Sequence, residues 1–359
     1  MDTGDTFNPA TLHKTWSINF NPTPGAWGAY ISYPLIAGGR VFVTVGPTVS
    51  PPDGQNTLYA LDAATGAVDW SVPIATYLGI PGLTYDGGQV FIQTFDGVLT
   101  AYDAATGHAN WTATLTATSY WFTGPPTAYD GVLYASGGGG SGTLFALSEA
   151  TGALGWSFEL DNGGAASSPT VDDTGVYEDY ACGFPGGVRL DGTNPWGRLG
   201  CDDGAGATAV LNDGHLYLRS DSTLPEGLIV STTTRASTGD FGGTGMPSFD
   251  ATSMYVALSE SGSCVLEALD KSGSAARWSF AGDGTLDATP VTTNGIVFTG
   301  SRAGNLYGID SNTGKQVWAA VAPGGGVSTN DGSTMHWGLA AADGLLAVPA
   351  GGFLTVYTN

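Results

Sequence analysis

The residues best suited to chemistry lie in the segments between the apolar runs of this chain. His336 stands beside Trp337, Trp27 lies three residues before Tyr30, and Tyr120 adjoins Trp121. Asp202 and Asp203 form one acidic pair, and Asp283 with Asp287 a second. An imidazole titrates near neutral pH, so His336 with Tyr30 or Tyr120 and one of these acids is the set that general acid–base catalysis would require. The same residue types suit a sugar, whose apolar faces stack on rings while its hydroxyls bond carboxylates. Trp27, Tyr30, Trp121, Asp203, Asp287, His336 and Trp337 are therefore the candidate ligand-binding residues. Against this, a single histidine is more often a satisfied hydrogen-bonding group than a catalyst, and a loop aromatic more often a packing plug. No His/Cys metal spacing, Gly-x-x-x-x-Gly-Lys loop, Gly-x-Ser-x-Gly elbow or Asp-x-Asp-x-Asp-Gly loop occurs. The sequence names no metal site.

The elements that would position these residues are set by a repeat. Leu58-Tyr59-Ala60-Leu61-Asp62-Ala63-Ala64-Thr65-Gly66-Ala67-Val68-Asp69-Trp70 returns at 99–111, 144–156, 266–278 and 306–318, with weaker copies ending at Trp196 and Phe241. The copies hold two β-prone runs joined by a tight turn, most often Asp-x-x-Thr-Gly, in which the Asp side chain caps the turn and Gly takes a positive φ. The copies end 37 to 45 residues apart, a period of propeller blades built from several short strands. A second series counts the blades independently: Gly38-Gly39, Asp86-Gly87, Asp130-Gly131, Asp173-Thr174-Gly175, Asp213-Gly214, Asp250-Ala251, Asn294-Gly295 and Asp343-Gly344 each precede a strand. That gives eight. The chain ends in a third strand, Phe353-Leu354-Thr355-Val356-Tyr357, and begins with a fourth, Leu12 to Ile18, carrying Trp16. We therefore expect one all-β domain over residues 1–359: eight four-stranded blades, with the N-terminal strand completing the last and removing an open edge.

Composition fits this reading. Gly is 57 and Pro 19, placed at fixed offsets between apolar runs, which is turn chemistry and not disorder. Net charge is −22, so phosphate backbones and anionic membranes are repelled and nucleic acid is excluded as a partner. No apolar run approaches the roughly 20 residues of a membrane span, so no membrane insertion is expected. Met1-Asp2-Thr3-Gly4-Asp5 carries no signal core; either the chain is cytosolic, or it is exported and a signal peptide has been removed.

The Asp-x-x-Thr-Gly-x-x-x-Trp repeats resemble the tryptophan-docking repeats of the eight-bladed quinoprotein (PQQ) dehydrogenase-like superfamily, over essentially the whole chain. The resemblance implies the fold. It does not select an activity, because the superfamily holds PQQ-dependent alcohol and sugar dehydrogenases as well as cofactor-free members such as the outer-membrane assembly scaffold lipoprotein. The dehydrogenases of the superfamily wall in the quinone with long loops, a Trp floor, calcium-holding acids, a catalytic Asp and often a pair of adjacent cysteines. Here the loops are short, no Cys-Cys pair occurs, and only Trp121 or Trp337 offers a floor. Neither PQQ nor calcium is expected.

Two function classes stay open. One is a secreted binding or scaffold propeller, periplasmic or at the cell surface, whose central funnel takes a carbohydrate or peptide. The other is an enzyme using that funnel, a polysaccharide lyase or hydrolase before a quinone-dependent dehydrogenase. Cys182 and Cys201 follow the second and fourth strands of one degenerate blade, which run in the same direction. They form a disulfide if the chain is exported and are two buried thiols otherwise. Mass spectrometry of the non-reduced protein is expected to show one bridge between them and one alkylatable thiol, Cys264; three alkylatable thiols would remove the bridge.

Overall fold

The computed structural model describes residues 6–20, 30–46, 55–76, 79–116, 122–137, 142–160, 167–180, 184–193, 208–219, 226–243, 245–260, 263–327 and 338–359. Blade one shows how the repeat folds. Its strands Leu35–Ala37, Arg40–Val45, Asn56–Asp62 and Val68–Ile74 pair antiparallel in chain order. The turn between the first two strands is closed by Gly38 and Gly39, both at positive φ. At the corresponding turns Asp130-Gly131, Asp213-Gly214, Asn294-Gly295 and Asp343-Gly344, both residues have positive φ, the backbone of a type I′ hairpin. Between the third and fourth strands, Asp62 Oδ1 accepts from the Thr65 amide (2.8 Å) and hydroxyl (2.6 Å). Asp103 holds Thr106, and Asp310 holds Thr313, in the same way. The Thr65 hydroxyl bond, followed by the amide bond, holds the Asp62 carboxyl below its usual range.

The repeat's tryptophan has two partners, one inside its blade and one outside. Inside, Trp70 faces Ala60 while Val68 faces Leu61, so Asp69 is an extra residue. The same bulge recurs beside Trp111, Trp156, Trp278 and Trp318, each opposite an Ala or Gly. A bulge bends the strand and re-aims a side chain. The small residue leaves room for the indole to meet an aromatic of the second strand. Phe42, Phe91, Tyr134, Tyr255 and Phe298 sit 5.7 to 6.0 Å from their own blade's indole, between ring centroids. Outside, the indole N–H donates to a carbonyl in the next blade's third-to-fourth turn: Trp16 to Ala63 (2.9 Å), Trp111 to Glu149 (2.8 Å), Trp156 to Leu190 (3.0 Å) and Trp278 to Ser311 (2.9 Å). The ring lies against that turn's glycine. A Cβ added to Gly66, Gly152, Gly192 or Gly314 would come within 2.5 to 2.9 Å of it, and each of these glycines has positive φ.

The chain is an eight-bladed all-β propeller. Seven of its eight sheets show four strands, and Thr170–Asp172, Gly175–Tyr180 and Phe184–Val188 are the described strands of the eighth. No helix occurs among the described residues. Strand His13–Asn19 pairs with Phe353–Thr358 and completes the last blade, as the sequence predicts. Trp318 then donates to Leu12 O (3.0 Å), and the Asn359 side chain clasps the N-terminal segment at Thr6 and Asn8. By internal contacts the chain divides into two compact units, 1–80 with 242–330 and 336–359, and 81–241 with 331–335. In each, the second strands form the core, with Val41, Phe42, Val43, Val90, Phe91, Leu133, Leu216, Val297 and Phe298 fully buried. Phe241 replaces a tryptophan in a weak repeat: it packs 5.9 Å from Tyr217 and lies over Gly227, whose added Cβ would reach within 2.2 Å of the ring.

Trp111→Ala is expected to cost about 3–5 kcal/mol, as for other large aromatics removed from packed interiors. Gly152→Ala should cost roughly 1–3 kcal/mol by displacing the ring. In the double variant the collision is gone, so the combined loss in urea unfolding should fall short of the sum. Strictly additive losses would show that the indole does not rest on this glycine.

Candidate functional site

The loop that leads from Ala276–Phe280 into the strand Val291–Thr293 carries two of the sequence-predicted acids. Asp283 Oδ1 accepts from the Thr285 amide (2.9 Å) and hydroxyl (2.8 Å), and Oδ2 from Ser301 Oγ (2.7 Å) and Asn305 Nδ2 (2.6 Å). Burial pushes its carboxyl up, but the bonds from Ser301, Asn305 and Thr285 outweigh that and hold it at about 2. Asp287 Oδ1 meets Arg302 Nη2 at 2.7 Å, while Arg302 N donates to Thr285 O (2.9 Å). Both acids thus fasten the loop to the turn around residues 301–305. Tyr30 precedes blade one with its carbonyl accepting from Gly46 N (2.8 Å), and its side chain is 47% exposed. Trp27, Tyr120, Trp121, Asp203, His336 and Trp337 lie outside the described residues, as do Cys182 and Cys201. Cys264 is a free, half-buried thiol.

The two described loop acids are already engaged by donors of this chain. A cation needs oxygens turned bare toward it, whereas the Asp283 oxygens are filled by N–H and O–H donors and Asp287 faces a guanidinium. Among the described residues no group of three His, Cys, Asp or Glu is placed to hold a metal.

A different acid is buried in the second unit. Glu178 lies in the second strand of the blade that begins at Thr170, 1% exposed. The sequence reading did not single it out. At this register position the other second strands carry Val43, Ile92, Ala135, Leu218, Val256, Thr299 and Val348, so a carboxyl interrupts an otherwise nearly apolar row. Ser167 Oγ donates to Glu178 Oε2 (2.8 Å), Ser136 Oγ donates to Ser167 O (2.7 Å), and Gln93 Nε2 donates to Ser136 O (3.0 Å). Burial pushes the Glu178 carboxyl up to about 8, against the lowering effect of the Ser167 and Ser136 hydroxyls, so it is a neutral acid at pH 7. Its Oε1 has no partner. Glu149 is a second such group; it stands where blades one and two carry Ala63 and Ala104. Register alignment of the repeats is the signal that exposes both.

Comparison with known proteins agrees with this architecture. A family model described as outer membrane protein assembly factor BamB matches residues 5–120 and 225–357. The chain is 30% identical over 180 residues to the dehydrogenase subunit of the quinone alcohol dehydrogenase of Gluconobacter oxydans, a match over 44% of this chain. That stretch spans only 22% of the relative's own length. BamB from Moraxella catarrhalis superposes with a TM-score of 0.67 at 18% identity, covering 97% of this chain and 98% of that one. The quinohemoprotein alcohol dehydrogenase of Comamonas testosteroni gives 0.74 at 14% identity, over 99% of this chain and 78% of that one. At these identities the two structures share the fold alone.

The buried acid has a measurable consequence. A carboxyl whose affinity for protons rises on folding stabilises the native state fully below its unfolded value of 4.5, and that contribution is lost as pH rises through about 8. Glu178→Gln keeps the shape of the neutral acid and cannot ionise. Urea midpoints measured from pH 5 to pH 9 should therefore decline less steeply for the variant than for the wild type. Parallel profiles would mean that the carboxyl is hydrated.

Proposed function

We propose, from the premise that this chain belongs to the PQQ-repeat family described as outer membrane protein assembly factor BamB, that it acts as an exported binding or scaffold propeller. Its place is the periplasm or the cell surface, and its ligand is a carbohydrate or a peptide segment. The observation that carries this reading is the commitment of the described loop acids. Asp283 and Asp287 are spent in fastening a loop to a turn, which makes a rigid frame and leaves neither poised as a base. The ligand contacts fall to Trp27, Tyr30, Trp121, Asp203, His336 and Trp337. With 22 excess negative charges, a neutral or cationic ligand is favoured over uronates and phosphates.

A glycan array and a peptide array probed with the purified chain test this. Binding is expected to a neutral or cationic ligand, to be abolished by Trp121→Ala and by Trp337→Ala, and to be lost without change in melting temperature. Unfolding of both variants would make these indoles packing plugs. Dye-linked oxidation of an alcohol or sugar after addition of PQQ and calcium, or release of unsaturated sugar from a polysaccharide, would replace the scaffold reading with an enzymatic one.

A further inference from the structure

In the seven four-stranded sheets the outer strand is an open edge among the described residues, and the repeat sets what that edge shows to solvent. Aligned on the docking indole, three positions are exposed: one residue before it, one after and three after. Val68–Ile74 carries Asp69, Ser71 and Pro73 there, and Ala109–Thr114 carries Asn110, Thr112 and Thr114. Serine also directly follows the tryptophan in His13–Asn19, Leu154–Leu160 and Ala276–Phe280. Polar groups, charges and proline on an open edge keep it from pairing with another chain.

Blade seven (Val291–Thr293, Ile296–Gly300, Asn305–Asp310 and Gln316–Val321) lacks this guard. Its outer strand shows Val317, Ala319 and Val321 at the three positions and holds neither a charge nor a proline. Val317 is 41% exposed and Val321 68%, two of the five large hydrophobics that stand exposed among the described residues. The strand is firmly held. One edge pairs with Asn305–Asp310, while Trp318 is buried against Phe298 and Tyr357 (ring centroids 5.9 and 5.2 Å) and donates to Leu12 O (3.0 Å). The other edge meets no described strand. An anchored, uncharged edge that exposes β-branched side chains is a template for a further strand.

The edge also describes its occupant. Outward main-chain N–H and C=O groups call for an extended backbone, and Val317 and Val321 call for apolar side chains along it. The net charge of −22 opposes a second copy of this chain and favours a basic partner. Locally, Lys315 precedes the strand, whereas Val321 at its far end pairs with Asn305, whose Nδ2 bonds the Asp283 carboxylate (2.6 Å). A basic flank therefore belongs at the Val321 end. We propose that the outer edge of blade seven is a docking site for an extended polypeptide segment of alternating apolar residues with a basic flank, which pairs with Gln316–Val321 as a fifth strand. Main-chain bonds supply the hold, and the valines select the side chains that face them. This partner is distinct from the funnel ligand and does not depend on it.

The test is calorimetric titration of the full chain with a short synthetic peptide that alternates valine and threonine between flanking lysines. Saturable binding of one peptide per chain is expected, weakened by salt and at least about tenfold weaker when glutamates replace the lysines. A peptide N-methylated at alternate residues cannot make the main-chain bonds and should not bind. Val317→Asn, Ala319→Thr and Val321→Thr together give blade seven the residues of Ala109–Thr114 and should abolish binding with the urea midpoint unchanged. Val321→Lys alone sets a guarding charge on the edge and should do the same, which keeps the test decisive if the triple variant folds poorly. No binding by the wild type, or binding that survives N-methylation or both sets of substitutions, would overturn the proposal. So would self-association of the peptide-free chain that Val321→Lys abolishes, which would assign the edge to a second copy.

Discussion

The seating of an indole on a glycine in the neighbouring blade is the contact on which the other features depend. Three residues combine at Trp111 and Trp278: a bulge before the tryptophan, an Ala opposite to make room, and a glycine in the next turn with no Cβ to obstruct the ring; Trp16 does the same opposite Val356. The positive φ of that glycine is also what lets Asp-x-x-Thr-Gly close as a tight turn. One residue thus serves turn and interface together. The N–H bond adds direction to what is otherwise dispersion and burial.

Polar groups follow the same economy. In the turns, carboxylates are consumed by the amide and hydroxyl of a nearby threonine, which holds Asp62 and Asp103 below their usual range through those side-chain bonds first. Asp283 does similar work over a longer reach, from a connecting loop to Ser301 and Asn305. Glu149 and Glu178 are the exceptions. They sit in positions that the repeat gives to small or apolar residues, and burial raises their affinity for protons, so these two acids respond to pH where the turn acids serve as fixed negative ends of hydrogen bonds.

The architecture was legible because the repeat writes it out many times. Asp-Gly turns, the Thr-Gly hairpin and the recurrent Trp are local signals, and their count specifies eight blades and the crossing of the N-terminal strand to Phe353–Thr358. The candidate site was less legible, since the segments that carry Trp27, Trp121, Asp203 and His336 have no period, and their chemistry depends on neighbours far along the chain. Asp287 illustrates the difficulty. Sequence shows a free carboxylate in a loop, but whether it is free is decided by Arg302, fifteen residues later and across a hairpin. Glu149 and Glu178 were hidden for another reason: an acid in a turn or a strand looks solvated until the blades are aligned by register.

The strand His13–Asn19 reaches its place only by finding Phe353–Thr358, and Trp318 bonds to Leu12 across 306 residues of sequence. The two partners lie more than 300 residues apart in sequence, so the last sheet stays one strand short until both are present and have met. Contacts of such separation are entropically costly to close and slow a folding reaction. Meanwhile the bare flank of Phe353–Thr358, once it forms, is a template for any other strand, including the same segment of a second molecule. The hazard is greatest at high local concentration, where two half-closed chains can each supply what the other lacks. Holding the leading strand back from wrong partners is thus a demand that this topology places on whatever handles the newborn chain.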